Sequence, residues 1–419
     1  MSTIAIVHPR HITINGWMGA VLSMSLILSM WGDLRIPVAG TLMHPYLLLL
    51  PVLVVIGGLQ VFRIPGPLLF CLGGYIVFFS LPMALEGSYF EILKIVAGVA
   101  TLLVFVQCVR SEADFEVCMW GFIIVSVYLS ARVIYLGQAG LGGPALEGIN
   151  ALEGLGNKNA QSQFTLPGFF FICFNLFHQL RTKKYFKAAS SVSMAVIVVV
   201  GGVLTGNRSG YLGIVIVILV FIVAFRFSIR ALVAFILLTM ASTYLVDRLA
   251  LRTFERKLEI TTAEDYVSDR AREMLIRESI FAGLENPFPG LGFAGLTQEL
   301  ASRLNLQRRD DVDPHNLFGY LLGGGGVMTF VFFAWTFKLF SKQTIRYQRI
   351  RDRLRKRGLL NGYYDRRINI WLLGFLVLFV FRSFFTRELI YSPNFMGALG
   401  LLYGMLIYYQ RRLSYAVYR

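Results

Sequence analysis

The chain has 419 residues, of which 56% are hydrophobic and 15% charged, and its mean hydropathy is +0.63. This composition excludes an ordinary soluble domain and indicates a polytopic membrane protein. The net charge of +16 does not require nucleic acid as a partner, because basic residues concentrate in the cytoplasmic loops of membrane proteins. The four cysteines show no metal-ligand spacing, so we interpret them as small core residues.

Apolar runs predict about twelve transmembrane helices, which together form one all-α integral membrane domain over residues 1–419. Residues 1–11 lack the apolar core and cleavage site of a removable signal peptide. The predicted spans are residues 13–31, 44–62, 66–85, 89–109, 116–136, 162–180, 188–205, 211–227, 230–247, 316–340, 369–386 and 394–410.

The basic residues predict the orientation of these spans. The most basic connection, residues 341–368, is expected to be a cytoplasmic loop. When the sides alternate from there, both termini and every other basic cluster outside the longest connection also become cytoplasmic. The longest connection, residues 247–315, then becomes an extracytoplasmic loop, periplasmic in a Gram-negative cell. Most of the net charge is therefore interpreted as a topogenic signal, and no nucleic acid is expected as a partner.

Residues Gly156–Ser162 include Asn157 and Asn159, which lie just before a span on the predicted outer side. Their amides suit either a capped helix start or contacts with sugar hydroxyls. Within the earlier spans, Lys94 and Arg132 lie near the outer ends. Each is consistent with a buried charge pair or with a phosphate contact.

Arg208 lies in a short glycine-flanked turn between two spans on the predicted outer side. It is either a residue that extends to the membrane interface or a functional group. We favour a function, because ionisable groups at membrane depth are costly and basic residues are depleted on this side.

The outer loop contains a predicted helix over Asp269–Leu284 that ends at Asn286-Pro287. Arg270, Arg272 and Arg277 lie on it. Such arginines are either solvated or part of a bidentate clamp for a diphosphate, a geometry that lysine provides poorly.

His315-Asn316 opens the next apolar span, which contains four consecutive glycines, Gly323–Gly326. Asn316 is a good helix cap, and the histidine is either structural or a general base near neutral pH. The glycines favour close packing over a ligand groove. The outer loop shows no metal-binding motif, and the chain has no phosphate-binding loop or dinucleotide fingerprint, so nothing supports a nucleotide-driven transporter.

Taken in order, these motifs resemble the O-antigen ligase and polymerase superfamily. The resemblance rests on Arg208, on Arg272 followed by the Asn286–Gly292 turn, and on His315-Asn316 with glycines downstream. The Asn157–Asn159 turn is also similar to a family signature. In one departure, Ile276 stands where the family often has an aromatic residue, so Arg270 and Arg277 remain alternatives to Arg272.

The resemblance implies an inverting, metal-independent glycosyltransferase of the bacterial inner membrane, without nucleotide or other cofactor. Arg208 and Arg272 would hold the diphosphate of an undecaprenyl-diphosphate-linked glycan, and His315 would deprotonate the acceptor hydroxyl. From the residues themselves, the predicted substrate contacts at the periplasmic face are Asn316, Asn157, Asn159, Lys94, Arg132, Arg270 and Arg277.

Two acceptors stay open. A ligase transfers the glycan to the lipid A core, whereas a polymerase transfers it to a second lipid-linked glycan. The ligase is slightly favoured. A transporter or flippase of lipid-linked sugar is the alternative from another class, but it would favour charges at mid-bilayer and two related halves. In this chain the charges gather at one face instead.

Overall fold

A computed structural model describes most of the chain, and the described part is almost entirely helical. It covers residues 12–26, 36–38, 41–43, 50–52, 64–138, 158–204, 208–226, 233, 273–304, 316–356, 367–387, 389 and 392–417. The helices are α1 (Ile14–Ser25), α2 (Gly66–Leu85), α3 (Tyr89–Cys108), α4 (Glu112–Gln138), α5 (Lys158–Arg181), α6 (Tyr185–Leu204), α7 (Arg208–Phe225), α8 (273–285), α9 (Gly292–Arg303), α10 (Leu317–Lys356), α11 (Ile368–Ser383) and α12 (Pro393–Val417).

Among the described residues, five helices are long and apolar enough to cross a membrane. These candidate spans are Gly66–Leu85, Tyr89–Cys108, Glu112–Tyr135, Tyr185–Gly202 and Leu317–Asp352. The prediction of an all-α polytopic membrane protein is thereby confirmed. Predicted spans 44–62 and 230–247 lie outside the described residues apart from 50–52 and 233. The count of about twelve spans stays a prediction.

Within the described ranges, the strands form a single short hairpin. β1 (Ile36–Val38) pairs antiparallel with β2 (Thr41–Met43). The hairpin belongs to the connection between the first two predicted spans, for which the sequence predicted no structure.

Helices cross where small residues let their backbones approach. A Cβ atom on Gly201 of α6 would lie 2.7 Å from the Cα of Ser130 in α4. Glycine is common at such crossings because membrane helices associate largely through close packing. The interior is aromatic elsewhere, and the Trp371 ring lies 5.2 Å from that of Phe170 and 5.3 Å from that of Phe174. All four cysteines are free and buried, which confirms their interpretation as core residues.

Helix α10 differs from its prediction in two ways. It breaks at Gly326, which has φ 77° and ψ 174°. It also continues to Lys356 instead of ending at residue 340, so the first part of the predicted 341–368 loop is helical. The change from apolar to basic residues near 340 predicts the end of the span, but the helix continues through it.

Polar contacts define two ends of the bundle. At one end, the Thr13 amide donates to Asp114 at 2.7 Å and the Tyr409 hydroxyl to Glu112 at 2.7 Å, which joins the starts of α1 and α4 to the end of α12. The opposite end gathers the start of α3, α5, α7, α9 and α10 and the end of α2 and α11. We call it the motif end, because the predicted site motifs border it.

Candidate functional site

The Asn286–Gly292 turn packs against the break in α10 and replaces one of its helical hydrogen bonds. A regular helix would pair the Val327 amide with the Gly323 carbonyl, four residues earlier. Here Val327 donates to the Pro287 carbonyl and Gly323 accepts from the Leu291 amide, both at 3.0 Å. The backbone groups released by the break are therefore satisfied by the turn. Irregular backbone at membrane depth requires such burial against protein.

Only glycine fits the closest approach between the turn and the break. A Cβ on Gly290 (φ 97°) would lie 2.6 Å from the Gly324 carbonyl oxygen, and one on Gly326 would lie 2.7 Å from the Pro287 carbonyl oxygen. The close-packing interpretation of the tetraglycine is confirmed. Gly326 approaches the turn, whereas Gly323 meets Leu296 of α9 and Gly325 meets Phe79 of α2.

Glu86 fixes the other side of the turn. Its carboxylate accepts hydrogen bonds from the amides of Phe293, at 2.5 Å, and Gly295, at 3.1 Å. It thus caps the start of α9 from a distant part of the chain, and a negative charge there is also favoured by the helix dipole. The end of α2 and the turn before α9 are held together by this contact.

Arg303 joins the two helices that flank the turn. It contacts Glu285, which ends α8, and lies 2.9 Å from Glu299 of its own helix α9. The hydrogen bond from Arg303 lowers the pKa of the exposed Glu285 carboxyl. Helix α8 packs against α10 through small residues. Met274, Phe281 and Leu284 are exposed, whereas Ser279, Ala282 and Gly283 lie in the interface, where small residues allow contact with α10.

Asn316 anchors the start of α10. Its side-chain oxygen accepts from the Gly319 amide at 2.9 Å, and its side-chain nitrogen donates to the Phe384 carbonyl at 3.2 Å. The helix-cap prediction is confirmed. The second bond ties the residue that follows His315 to the segment after α11. The Asn316 side chain itself is buried.

A polar network lies beside this start. Lys94 lies 2.7 Å from Glu91, and the Tyr320 hydroxyl donates to the same carboxylate at 3.1 Å. Lys94 thus forms a charge pair with Glu91, and its contact with a phosphate stays a prediction. The Arg387 guanidinium lies 4.2 Å from the centre of the Phe293 ring and 5.1 Å from that of Tyr320, which adds a cation to the motif end.

Arg382 joins two further helices at the same end. It is fully buried in the last turn of α11. Its guanidinium donates to the hydroxyls of Ser162, at 2.7 Å, and Ser209. Ser162 is the fifth residue of α5 and Ser209 the second of α7, and these helices begin next to Asn159 and at Arg208.

The predicted site residues are described to different extents. His315, Arg272, Arg270 and Asn157 lie outside the described residues. Arg208 and Asn159 are helical, but the structure does not describe their side chains. Arg132 is half-buried in the last part of α4. Arg277 is exposed, and its described contacts are with Glu278 and Phe281 of its own helix.

The sequence analysis missed four residues of this end: Glu86, Tyr320, Arg382 and Arg387. Arg382 carried a signal, because a charge within predicted span 369–386 indicates a function by default. Glu86 and Tyr320 carry no such signal in the sequence, since their hydrogen-bond partners are more than 200 residues away. In the ranges that the structure covers, no three His, Cys, Asp or Glu side chains cluster as a metal site would require.

The family comparison bears on this end of the molecule. Residues 193–334 match the family model described as O-Antigen ligase. This segment belongs to the O-antigen ligase superfamily. The match confirms the resemblance, and it encloses Arg208, Arg272, the Asn286–Gly292 turn and His315. The match supports a membrane enzyme of the ligase and polymerase type. No curated protein and no solved structure matches the chain significantly.

Proposed function

We propose that this O-antigen ligase family protein transfers a glycan from undecaprenyl diphosphate to an acceptor hydroxyl at the periplasmic face of the bacterial inner membrane. The observation that carries the proposal is the family match over residues 193–334. It contains all three proposed catalytic residues, Arg208, Arg272 and His315. The convergence of segments adjoining Arg208 and His315 at the motif end supports it further.

The donor diphosphate is held by Arg208 and Arg272, with Arg270 or Arg277 as alternatives to Arg272. Negative charge grows on the diphosphate as its bond to the sugar breaks, so fixed cations stabilise the transition state more than the ground state. The planar guanidinium suits this role because it donates two parallel hydrogen bonds to phosphate oxygens. The leaving group then needs no added proton.

His315 acts as the general base. It takes the proton of the acceptor hydroxyl, whose oxygen attacks the anomeric carbon while the bond from that carbon to the diphosphate oxygen breaks. Undecaprenyl diphosphate leaves and the configuration inverts. A base in this position contributes roughly 10²–10⁴-fold. The support from the described chain is that Asn316, the next residue, is fixed by two hydrogen bonds. The reaction as proposed uses no metal and no nucleotide.

The remaining predicted residues are assigned to the substrates. Asn157 and Asn159 are proposed to contact sugar hydroxyls. The buried Asn316 is proposed to act on the substrates indirectly, by holding the start of α10. Lys94 and Arg132 are proposed to border the donor phosphates. The Lys94–Glu91 pair leaves the Lys94 side chain 33% exposed, so it can still face a substrate.

The proposed topology has about twelve spans, cytoplasmic termini and a periplasmic loop over residues 247–315 within a single integral domain. The two ends of the bundle support it, since the start of α1 and the end of α12 share the end opposite the motif end. The basic part of α10, within residues 341–368, would then be cytoplasmic.

The acceptor distinguishes two forms of the proposal. The ligase form uses the lipid A core, and the polymerase form uses a second lipid-linked glycan. A strain that lacks the gene separates them on a lipopolysaccharide gel. A bare core with polymer left on its carrier indicates a ligase, whereas a core with one repeat unit indicates a polymerase. Unchanged lipopolysaccharide with lost capsule or exopolysaccharide indicates a polymerase of another pathway.

The same strain tests the catalytic base. Expression of the His315→Ala variant should fail to restore the glycan although the variant inserts at normal abundance. Expression of the unaltered chain is the positive control, and normal glycan length and attachment in the variant would remove His315 from the mechanism. If deletion leaves every surface glycan intact, the transferase proposal is wrong.

A further inference from the structure

The segment from Arg382 to Arg387 contacts the starts of four helices at the motif end, α5, α7, α9 and α10. Arg382 binds the starts of α5 and α7, and the Phe384 carbonyl accepts from Asn316 at the start of α10. Arg387 lies against Phe293 at the start of α9. The segment lies outside the family match at residues 193–334, so the match assigns it no role.

Arg382 makes the contacts that depend most on its side chain. The guanidinium is fully buried, and its two terminal nitrogens donate to hydroxyls on two different helices. A planar group with several fixed N–H directions can hold two partners at a set separation, which a single ammonium cannot do. Arg382 therefore determines how the starts of α5 and α7 lie relative to each other.

The two serines adjoin residues of the proposed donor site. Ser209 directly follows Arg208, and Ser162 is one helical turn after Asn159. Both serines are buried, and their hydroxyls accept from Arg382 inside the bundle. A shift of either helix start would move the donor-binding residues attached to it.

We propose that Arg382 is a positioning residue for the donor diphosphate, which it serves by fixing the start of α7, with Arg208, against the start of α5. This inference rests on the proposed glycan transfer. It assigns Arg382 no contact with the substrate. Binding of the donor diphosphate then depends on Arg382, whereas deprotonation of the acceptor hydroxyl depends on His315.

The test measures transfer by the purified full-length protein in lipid nanodiscs, with an undecaprenyl-diphosphate-linked glycan as donor. In Arg382→Gln, kcat/KM for the donor should fall about 10²-fold, because a displacement of roughly 1 Å in a positioning group has that effect. The KM for the acceptor should stay unchanged. Arg382→Lys should recover only part of the loss, since it keeps the charge without the fork.

Arg367 provides a matched control. It lies at the other end of α11, is also buried, and donates to the Val223 carbonyl of α7 at 3.3 Å. Arg367→Gln therefore removes a buried arginine contact between the same two helices away from the motif end. Its donor kcat/KM per folded molecule should equal that of the unaltered protein, even if its thermal unfolding midpoint falls.

Ser162→Ala and Ser209→Ala keep the test valid if Arg382→Gln does not fold. Each removes one acceptor and leaves the arginine in place, and each should lower donor kcat/KM. In the Arg382→Gln background, neither serine substitution should lower donor kcat/KM further, because the contact is already lost.

Normal donor kinetics in both serine variants, or the same kinetic loss in Arg367→Gln, would overturn the inference. Absence of any transfer by the unaltered protein would overturn the proposed function as well.

Discussion

The amide of Val327 and the carbonyl of Pro287 lie 3.0 Å apart in a hydrogen bond that crosses the break in α10. The Gly323 carbonyl, which Val327 would bind in a regular helix, accepts from Leu291 instead. The turn thus occupies the place of one helical bond. The turn and the start of α10 both border the motif end. The hydrogen bonds at the break therefore help to fix the position of the turn relative to the proposed site.

Gly326 should tolerate no side chain. Its combination of φ 77° and ψ 174° is essentially restricted to glycine, and an added Cβ would lie 2.7 Å from the Pro287 carbonyl oxygen. Gly326→Ala should therefore lower the free energy of unfolding by about 1–3 kcal/mol. Thermal unfolding of the purified protein, followed by intrinsic fluorescence, measures the shift.

Gly73→Ala is the control for this change. Gly73 lies within α2, and an added Cβ would meet nothing within 4 Å. Its unfolding midpoint should not fall, because alanine is the better helix former. Equal midpoints for the two variants would mean that the turn does not require the glycine at the break.

The sequence predicted the helices well where a long apolar run determined them, as for α2 and α3. It predicted that Gly323–Gly326 allows close packing, because glycine runs have few other uses in a span. It could not predict the partner, since the Asn286–Gly292 turn reads as a helix stop in isolation. Glu86 was missed for a similar reason. A single carboxylate after a span has no pattern, and its role arises only when the chain folds around α9.

Glu91 and Lys94 should show coupled effects on stability. Glu91 is nearly buried and is held by both Lys94 and Tyr320. Lys94→Met leaves the carboxylate with less compensation, so it should destabilise the protein, and adding Glu91→Gln should recover part of the loss. A double-mutant cycle on the unfolding free energy should give a coupling of about 0.5–3 kcal/mol. Strictly additive effects would show that the pair contributes nothing to stability.

Arg208 should not tolerate replacement by lysine. If it holds the donor diphosphate with its planar fork, Arg208→Lys should lower kcat by about 10²-fold, comparable to the loss of one transition-state donor elsewhere. The assay is transfer from the lipid-linked donor in nanodiscs. Arg226, which directly follows the other end of α7, supplies the control, and Arg226→Lys should keep its activity. Near-normal turnover by Arg208→Lys would instead identify a residue that only extends to the membrane interface.

Cysteine labelling should place the two ends of the bundle on opposite sides of the membrane. The native cysteines are all buried, so their background reaction with a maleimide that cannot cross membranes should be low. Gln298 of α9 and Arg349 of α10 are exposed and border the motif end and the opposite end, respectively. Gln298→Cys should react in cells with a permeabilised outer membrane, and Arg349→Cys only after the inner membrane is lysed. The reverse pattern would put the motif end in the cytoplasm, where a periplasmic acceptor could not reach His315.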